Sequence, residues 1–540
     1  MSAPHHMGEA PARDFQLPGR STVMAMNGMA ATSHPLATGA AVDVLRQGGN
    51  AVDAAVTAAA VLAVVEPHMT GIGGDCFAIV AEPDGAVHGI NGSGRAPATA
   101  TLDWYLERGF GEIGPDDIHA VTVPGAVATW AHLLETHGSI GLDRALAPAI
   151  SYAEAGFPVA PRVASDWARL ENRLRNDEGA RAHYLVAGRR APEAGEVMRA
   201  PALAASLRAI AAKGRAGFYE GEIAEDIVAT VQARGGLLSL DDMATMTVTP
   251  VDPVTRRYRD LEIAELPPNG QGITALIQLG ILENFDMAAL DPMGPERLHL
   301  EIEAARLAYA CRDAHIADPA TMRLSVAELV DPAFTARLAA RIDRRRRMAD
   351  PGVPEPSGSD TIYLTVVDRD RRVVSLINSI FHGFGVGVVT LKSGITLQNR
   401  GSSFRLIEGH PNAIGPGKRP MHTIIPAMAF RDGRPAIGFG VMGGAYQACG
   451  HAHFVSNIVD HAMDVQLAID APRAFWNDQG RLGVERGLSD ATFAGLAARG
   501  HLVYRADEAI GGGQAIAIDW ERGVLVGGSD PRKDGLALGY

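Results

Sequence analysis

Cysteine is scarce: Cys76, Cys311 and Cys449 are the only three in 540 residues, far apart and without a CxxC pair. That spacing argues against a zinc cluster or a disulfide framework. Positive charge is also short, with 49 Lys and Arg against 62 Asp and Glu and a formal net charge of -13. A nucleic-acid partner is therefore not expected, because phosphate binding wants a basic surface. No long apolar run is present. The longest, Ala51 to Val65, is interrupted by Asp53 and is too short to span a bilayer, so no membrane partner is expected. Met1 to Arg20 has no apolar core of signal-peptide length, and the expected location is cytoplasmic. Residues 1–23 read as a flexible polar tail, and His5-His6 within it as tail rather than metal pair.

What remains is an ordinary globular composition, 47% hydrophobic and 21% charged, long enough for several domains or one large composite core. Met24 to Val65 reads as a short strand and two helices. Pro35 opens the first helix and Gly48-Gly49 closes it; Asn50 and Asp53 form a capping-box pattern at the start of the second. Both helices are rich in Ala and Val, as expected for burial against a sheet. The turn Glu66 to Asp75 carries Gly71, Gly73 and Gly74. It follows a helix and precedes a strand, the wrong order for a dinucleotide site, so no cofactor is expected. His68 in that turn reads as a structural hydrogen-bonding group at the helix end. Asp84-Gly85 is a hairpin signal. In Asn91 to Pro97, Arg95 stands on a glycine-rich loop, where it could clamp a carboxylate or be a solvated surface residue.

Residues from about 100 to 345 read as mostly helical, with segments such as Ala126 to His137, Leu142 to Ala155, Pro201 to Lys213 and Ile273 to Phe285. Another helix is expected from about Glu296 to Cys311, after Pro295. The basic run Arg344 to Arg347 reads as a solvated helix end.

The chain changes character at Thr361. The run Asp350 to Gly358 holds three prolines, which rule out helix and central strand. Beyond it, Thr361 to Asp368 alternates β-branched and apolar residues, as a strand does. Two readings stand. In one, a linker meets a strand whose first residue happens to be threonine. In the other, the bond before Thr361 is cut, and the freed α-amine, with a pKa of about 8, serves as base to the hydroxyl of the same residue. Arg369 to Arg372 can form a four-residue hairpin loop, which would place Thr361 beside Ser379, Ile380 and Phe381. Ser379 is then a candidate hydrogen-bond partner of the Thr361 hydroxyl. Gly443 and Gly444 lie between a strand (Ala436 to Phe439) and a helix from Gln447, where adjacent glycine N–H groups make a natural oxyanion hole. A phosphate loop is the rival, but the Lys-Ser/Thr that a P-loop needs does not follow.

The segments Ser33 to Ala37, Gln47 to Ala55 and Glu66 to Gly74, the Thr361 strand, Met442-Gly443-Gly444 and Ser529 to Arg532 together resemble the gamma-glutamyltransferase family of N-terminal-nucleophile hydrolases. The resemblance runs from about Met24 to Tyr540. It implies an α+β fold, a four-layer αββα sandwich made as one precursor. The precursor cuts itself at Asp360-Thr361 into a large subunit (24–360) and a small one (361–540), which stay together. Thr361 then matches the nucleophile, Ser379 a hydroxyl beside it, and Gly443 and Gly444 the pair that stabilises the oxyanion. The substrates implied are small amides or peptides, no metal or other cofactor is implied, and a dimer of heterodimers is left open.

The chain also departs from the family pattern. Where the transferases hold the substrate α-amine with Asn, Gln or Glu, and Asp, this chain has Phe381, Arg400 and Ser403. Where they hold the α-carboxylate with an Arg, it has Ser93, with Arg95 two residues away; their paired serines are His422 and Thr423 here. An ammonium stripped of water without an acid partner costs on the order of several kcal/mol. The departures therefore point to an acylase or amidohydrolase whose acyl group bears a carboxylate but no α-amine, such as a glutaryl or oxamate-type amide. γ-Glutamyl compounds remain the other reading, and an unprocessed, non-catalytic binding protein a remote third.

Overall fold

A computed structural model describes residues 16, 19–349, 360–477 and 479–540. Most of the expected tail, with His5-His6, and the proline-rich run at 350–359 lie outside the described residues. At the end of the tail, Arg20 donates to the carbonyl of Gly535 at 2.7 Å.

Two seven-stranded sheets, antiparallel at every junction, lie face to face at the centre. The strand Asp360–Val367 is the third in its sheet, between Met29–Thr32 and Val373–Phe381. In the other sheet, Arg434–Met442 is the central strand, flanked by Gly512–Asp519 and Ala427–Arg431. The two sheets meet closely because glycine sits where one presses on the other. A Cβ at Gly440 would lie 2.4 Å from the Tyr363 ring, inside van der Waals contact. Helices Pro35–Arg46 and Ala51–Val65 cover the outer face of the first sheet. Gly272–Leu282 and Tyr446–Val459 cover the second, completing the four layers. Every residue of Ala51–Val65 is buried, and its start carries the Asn50–Asp53 capping box. No helix among the described residues is long and apolar enough to cross a membrane.

The helices Ala126–His137, Leu142–Ala155 and Pro201–Lys213 keep their expected bounds. The mostly helical reading of 100–345 needs one correction, since Thr249–Val251, Val254–Tyr258 and Leu261–Glu265 are strands of the two sheets. The turn joining the last two, Arg259-Asp260, lacks the glycine that usually marks a hairpin. Arg259 takes φ 55° there, and its guanidinium binds the Asp460 carboxylate at 3.1 Å and the Phe285 carbonyl at 2.8 Å. Tertiary bonds hold a turn that local sequence does not announce.

Candidate active site

The Thr361 strand and its neighbour pair in regular register from Val367↔Val373 to Ile362↔Asn378, and then slip, so that Asp360 faces Phe381. Ser379 and Ile380 thus share the space opposite Thr361, a β-bulge of the kind that re-aims side chains beside functional sites. The Thr361 hydroxyl, fully buried, donates to Ser379 Oγ at 3.2 Å. Ser379 Oγ also accepts the Phe381 amide at 2.8 Å, which fixes the hydroxyl in place. Phe381 takes φ 79°, a strained conformation for a bulky residue. Behind the bulge, a Cβ at Gly74 would lie 2.2 Å from the Ser379 carbonyl, so the glycine-rich turn at 71–74 serves close backbone approach.

From the other sheet, Arg434–Met442 ends in the turn Gly443-Gly444, at φ 123° and 56°, and Tyr446–Val459 begins at once. The carbonyls of both glycines are engaged: Gly443 accepts from the Tyr446 amide at 3.0 Å, and Gly444 from the Gln447 amide at 3.2 Å. In the first turn of that helix, Gln447 Nε2 reaches the Thr361 hydroxyl at 3.4 Å while its Oε1 accepts from the Ile425 amide at 3.1 Å. Gln271 bridges two parts of the site, donating to the Thr423 carbonyl at 2.8 Å and the Gly444 carbonyl at 3.0 Å; Arg312 holds its Oε1 at 2.8 Å. Sequence reasoning missed Gln447, Gln271 and Arg312. The only trace of them was the Pro267 to Gly272 loop, a proline- and glycine-rich break that ends on Gln271-Gly272.

Two cavities open beside this centre, of about 680 and 700 Å³, and both touch His382 and Ala445. Phe381, Ser403, Thr423 and Arg312 line the first. Gly443, Lys533 and the aromatic residues Tyr446, Phe475 and Trp476 line the second. Burial pushes His382 down to about 4, helped by the charges of Arg400 and Arg173 and opposed by its bond to Asn399. Arg400 is wholly buried behind two residues that line the first cavity: its Nη1 donates to Thr423 Oγ1 at 2.9 Å and its guanidinium lies 3.9 Å from the centre of the Phe381 ring. His422 is drawn away from its neighbour Thr423: its Nε2 lies 3.0 Å from Asp75, and burial and then Arg400 lower it to about 3. Arg95 donates to the Gly417 carbonyl at 3.0 Å and lines neither cavity. Ser93 is buried and accepts from Asn269 at 3.0 Å. The structural hydrogen-bonding role expected of His68 at the helix end falls to its backbone, whose carbonyl accepts the Phe384 amide at 2.9 Å, while its ring lies at ion-pair distance, 3.5 Å, from Asp166.

Among the described residues, two groups have metal-binding composition, Glu82 with His88 and His137, and His299 with Glu303 and His501. Neither includes a residue of the Thr361 site. In the buried group the two histidines hold each other, with His299 and His501 2.8 Å apart, and Arg306 holds Glu303 at 2.8 Å.

A family model described as gamma-glutamyltranspeptidase matches residues 37–540. The chain belongs to the gamma-glutamyltranspeptidase family. It is 38% identical to the glutathione hydrolase-like YwrD proenzyme of Bacillus subtilis, over 96% of this chain and 99% of that protein. It is 37% identical to the oxamate amidohydrolase proenzyme of Klebsiella pneumoniae, over 96% of this chain and all of that one. The crystal structure of cephalosporin acylase from Bacillus halodurans superposes with a TM-score of 0.92 at 39% identity, covering 98% of this chain and 99% of that chain. The chain thus has the gamma-glutamyltranspeptidase fold, the N-terminal-nucleophile αββα sandwich described above. Phe381, Arg400 and Ser403, expected from the resemblance at the amine-binding positions, are an aromatic ring, a buried guanidinium and a hydroxyl, with no acid among them.

Proposed function

We propose that this chain is a self-processing threonine amidohydrolase whose acyl substrates lack the α-ammonium of a γ-glutamyl group. In processing, Thr361 Oγ attacks the Asp360 carbonyl, the peptide C–N bond breaks as the ester forms, and water hydrolyses the ester. This leaves residues 1–360 and 361–540 as two subunits with a free α-amine on Thr361. In turnover that amine takes the hydroxyl proton as Oγ attacks the substrate amide, and the Gly443 and Gly444 N–H groups receive the developing oxyanion. The leaving amine takes the proton, and water, activated by the same α-amine, releases the acid. Ser379 and Gln447 position the hydroxyl.

The observation that carries the reading is the Thr361 hydroxyl at the start of its strand, bonded to Ser379 and to Gln447, whose helix begins just after the Gly443-Gly444 turn. The substrate half rests on Phe381, Arg400 and Ser403, and the relatives named oxamate amidohydrolase and cephalosporin acylase fit it. The test is denaturing electrophoresis with matched anilides. Wild type is expected to show two bands and to turn over an acyl anilide without an α-amine faster than the γ-glutamyl one. Thr361→Ala should show one band and lose at least about 1,000-fold in rate. A single intact band from active protein removes the mechanism; faster γ-glutamyl turnover removes the substrate half.

A further inference from the structure

Arg400 is a buried cation without an acid. Its Nη1 has Thr423, but Nε and Nη2 have no hydrogen-bond partner. Among the described residues no other buried arginine leaves two nitrogens in that state, and no carboxylate lies within 4.0 Å of this one. The nearby acid, Asp75, is occupied: it accepts from Gly94 and Gly125 amides and from Gln398, and faces His422. Burial with so little compensation lowers the guanidinium to about 9.

The two open nitrogens are not scattered. Nε–H and the adjacent Nη2–H point in parallel from one edge of the guanidinium, the fork that matches the two oxygens of a carboxylate. The group is bracketed by Thr423 and Phe381, both of which line the cavity of about 680 Å³. It also lies close to the nucleophile. The preceding residue, Asn399, donates its amide to the Ile380 carbonyl, and Ile380 belongs to the bulge opposite Thr361. Two strand spacings, on the order of 10 Å, separate such positions, and a short dicarboxylic chain can cover that distance.

We propose that Arg400 is the anchor for a terminal carboxylate on the acyl group, gripping it through Nε and Nη2 while the Phe381 ring covers the guanidinium face. The substrate class is then the half-amide of a short dicarboxylic acid. The inference rests on the Thr361 reading for the place of bond cleavage, but it concerns a separate contact. An ammonium beside that carboxylate would meet a fixed positive charge at position 400 and no acid at 381 or 403, so γ-glutamyl amides are disfavoured.

The experiment uses the processed enzyme and anilides of oxalyl, succinyl and glutaryl groups, each against its own terminal carboxamide, which has the same size and no charge. The best carboxylate substrate should exceed its carboxamide at least about 100-fold in kcat/KM. In Arg400→Gln the ratio should fall to within about 3-fold, with two bands still formed. A wild-type ratio near one, or a ratio that survives Arg400→Gln, overturns the proposal. If that variant does not fold, the wild-type ratio decides alone. If no anilide is cleaved and the chain stays in one piece, the Thr361 reading has failed. Calorimetry of glutarate against its monoamide on the intact chain then still reads Arg400: preference for the diacid supports the anchor, and equal binding overturns it.

Discussion

Arg473 and Arg400 are both buried and both lie over an aromatic ring that lines a cavity, Tyr446 at 5.8 Å and Phe381 at 3.9 Å. They differ in what completes them. Arg473 binds Asp530 at 2.7 Å and the carbonyls of Ile469 and Ile510 at 3.0 and 2.6 Å. Asp530 in turn accepts the Gly513 amide at 2.7 Å, and the charges of Arg473 and Arg532 hold it below the usual carboxylate range although burial pushes the other way. Arg400 has one hydroxyl. A buried arginine that holds the fold together arrives with its acid in the same chain. One that leaves a carboxylate-shaped edge open is suited to an acid that comes and goes.

The strongest way to break this comparison is to remove the acid from the completed side. Asp530→Asn leaves Arg473 buried with two carbonyls and no carboxylate and should cost about 3–5 kcal/mol of folding stability, read by denaturant unfolding in a Thr361→Ala background that stays in one piece. The preference for carboxylate over carboxamide anilides should not move in processed protein. If Asp530→Asn alters that preference as much as Arg400→Gln does, the two arginines are not of different kinds.

Acid should sharpen the contrast next. Burial, then the neighbouring His68 charge, lowers His34 to about 4, and His382 beside Arg400 is lowered to about 4 as well. Below 6.5 the unfolded chain takes up protons at these positions that the folded chain refuses. Stability is therefore full above 6.5 and falls as pH drops, levelling near 4. Each group contributes up to about 1.4 kcal/mol per pH unit in that window. Melting temperature against pH measures it, and His382→Gln should flatten its share of the slope. A flat profile between 6.5 and 4 would show that these imidazoles are not held neutral.

Much of the frame was legible in the sequence because it rests on local signals. Pro35, Asn50 with Asp53, and the alternation after Thr361 each report chemistry within a few residues, and the strands Asp360–Val367 and Val373–Phe381 meet around the expected loop. The proposed centre was partly legible for the same reason: a hairpin of known loop length brings Ser379 to Thr361. What could not be read depends on long-range contact. Gln447 reaches Thr361 from the helix that covers the opposite sheet, Gln271 ties Thr423 to Gly444 across more than 150 residues of sequence, and the Arg259-Asp260 turn is held by Asp460 and Phe285. The state of Arg400 was equally hidden, because a sequence shows that an arginine is present but not that two of its nitrogens lack partners.

The smallest effect on stability is expected where a polar side chain is deleted outright. Arg400→Met keeps an unbranched stem under the Phe381 ring and removes a cation whose burial is barely compensated, so stability should stay within about 1 kcal/mol of wild type, on the stabilising side if anywhere. Arg473→Met, with a stem of the same kind, strands Asp530 with only Arg532 to neutralise it and should cost several-fold more. Denaturant midpoints of the two variants in the Thr361→Ala background give the comparison directly. A loss at Arg400→Met equal to that at Arg473→Met would mean that Arg400 already has, inside the folded chain, the partner assigned here to the substrate.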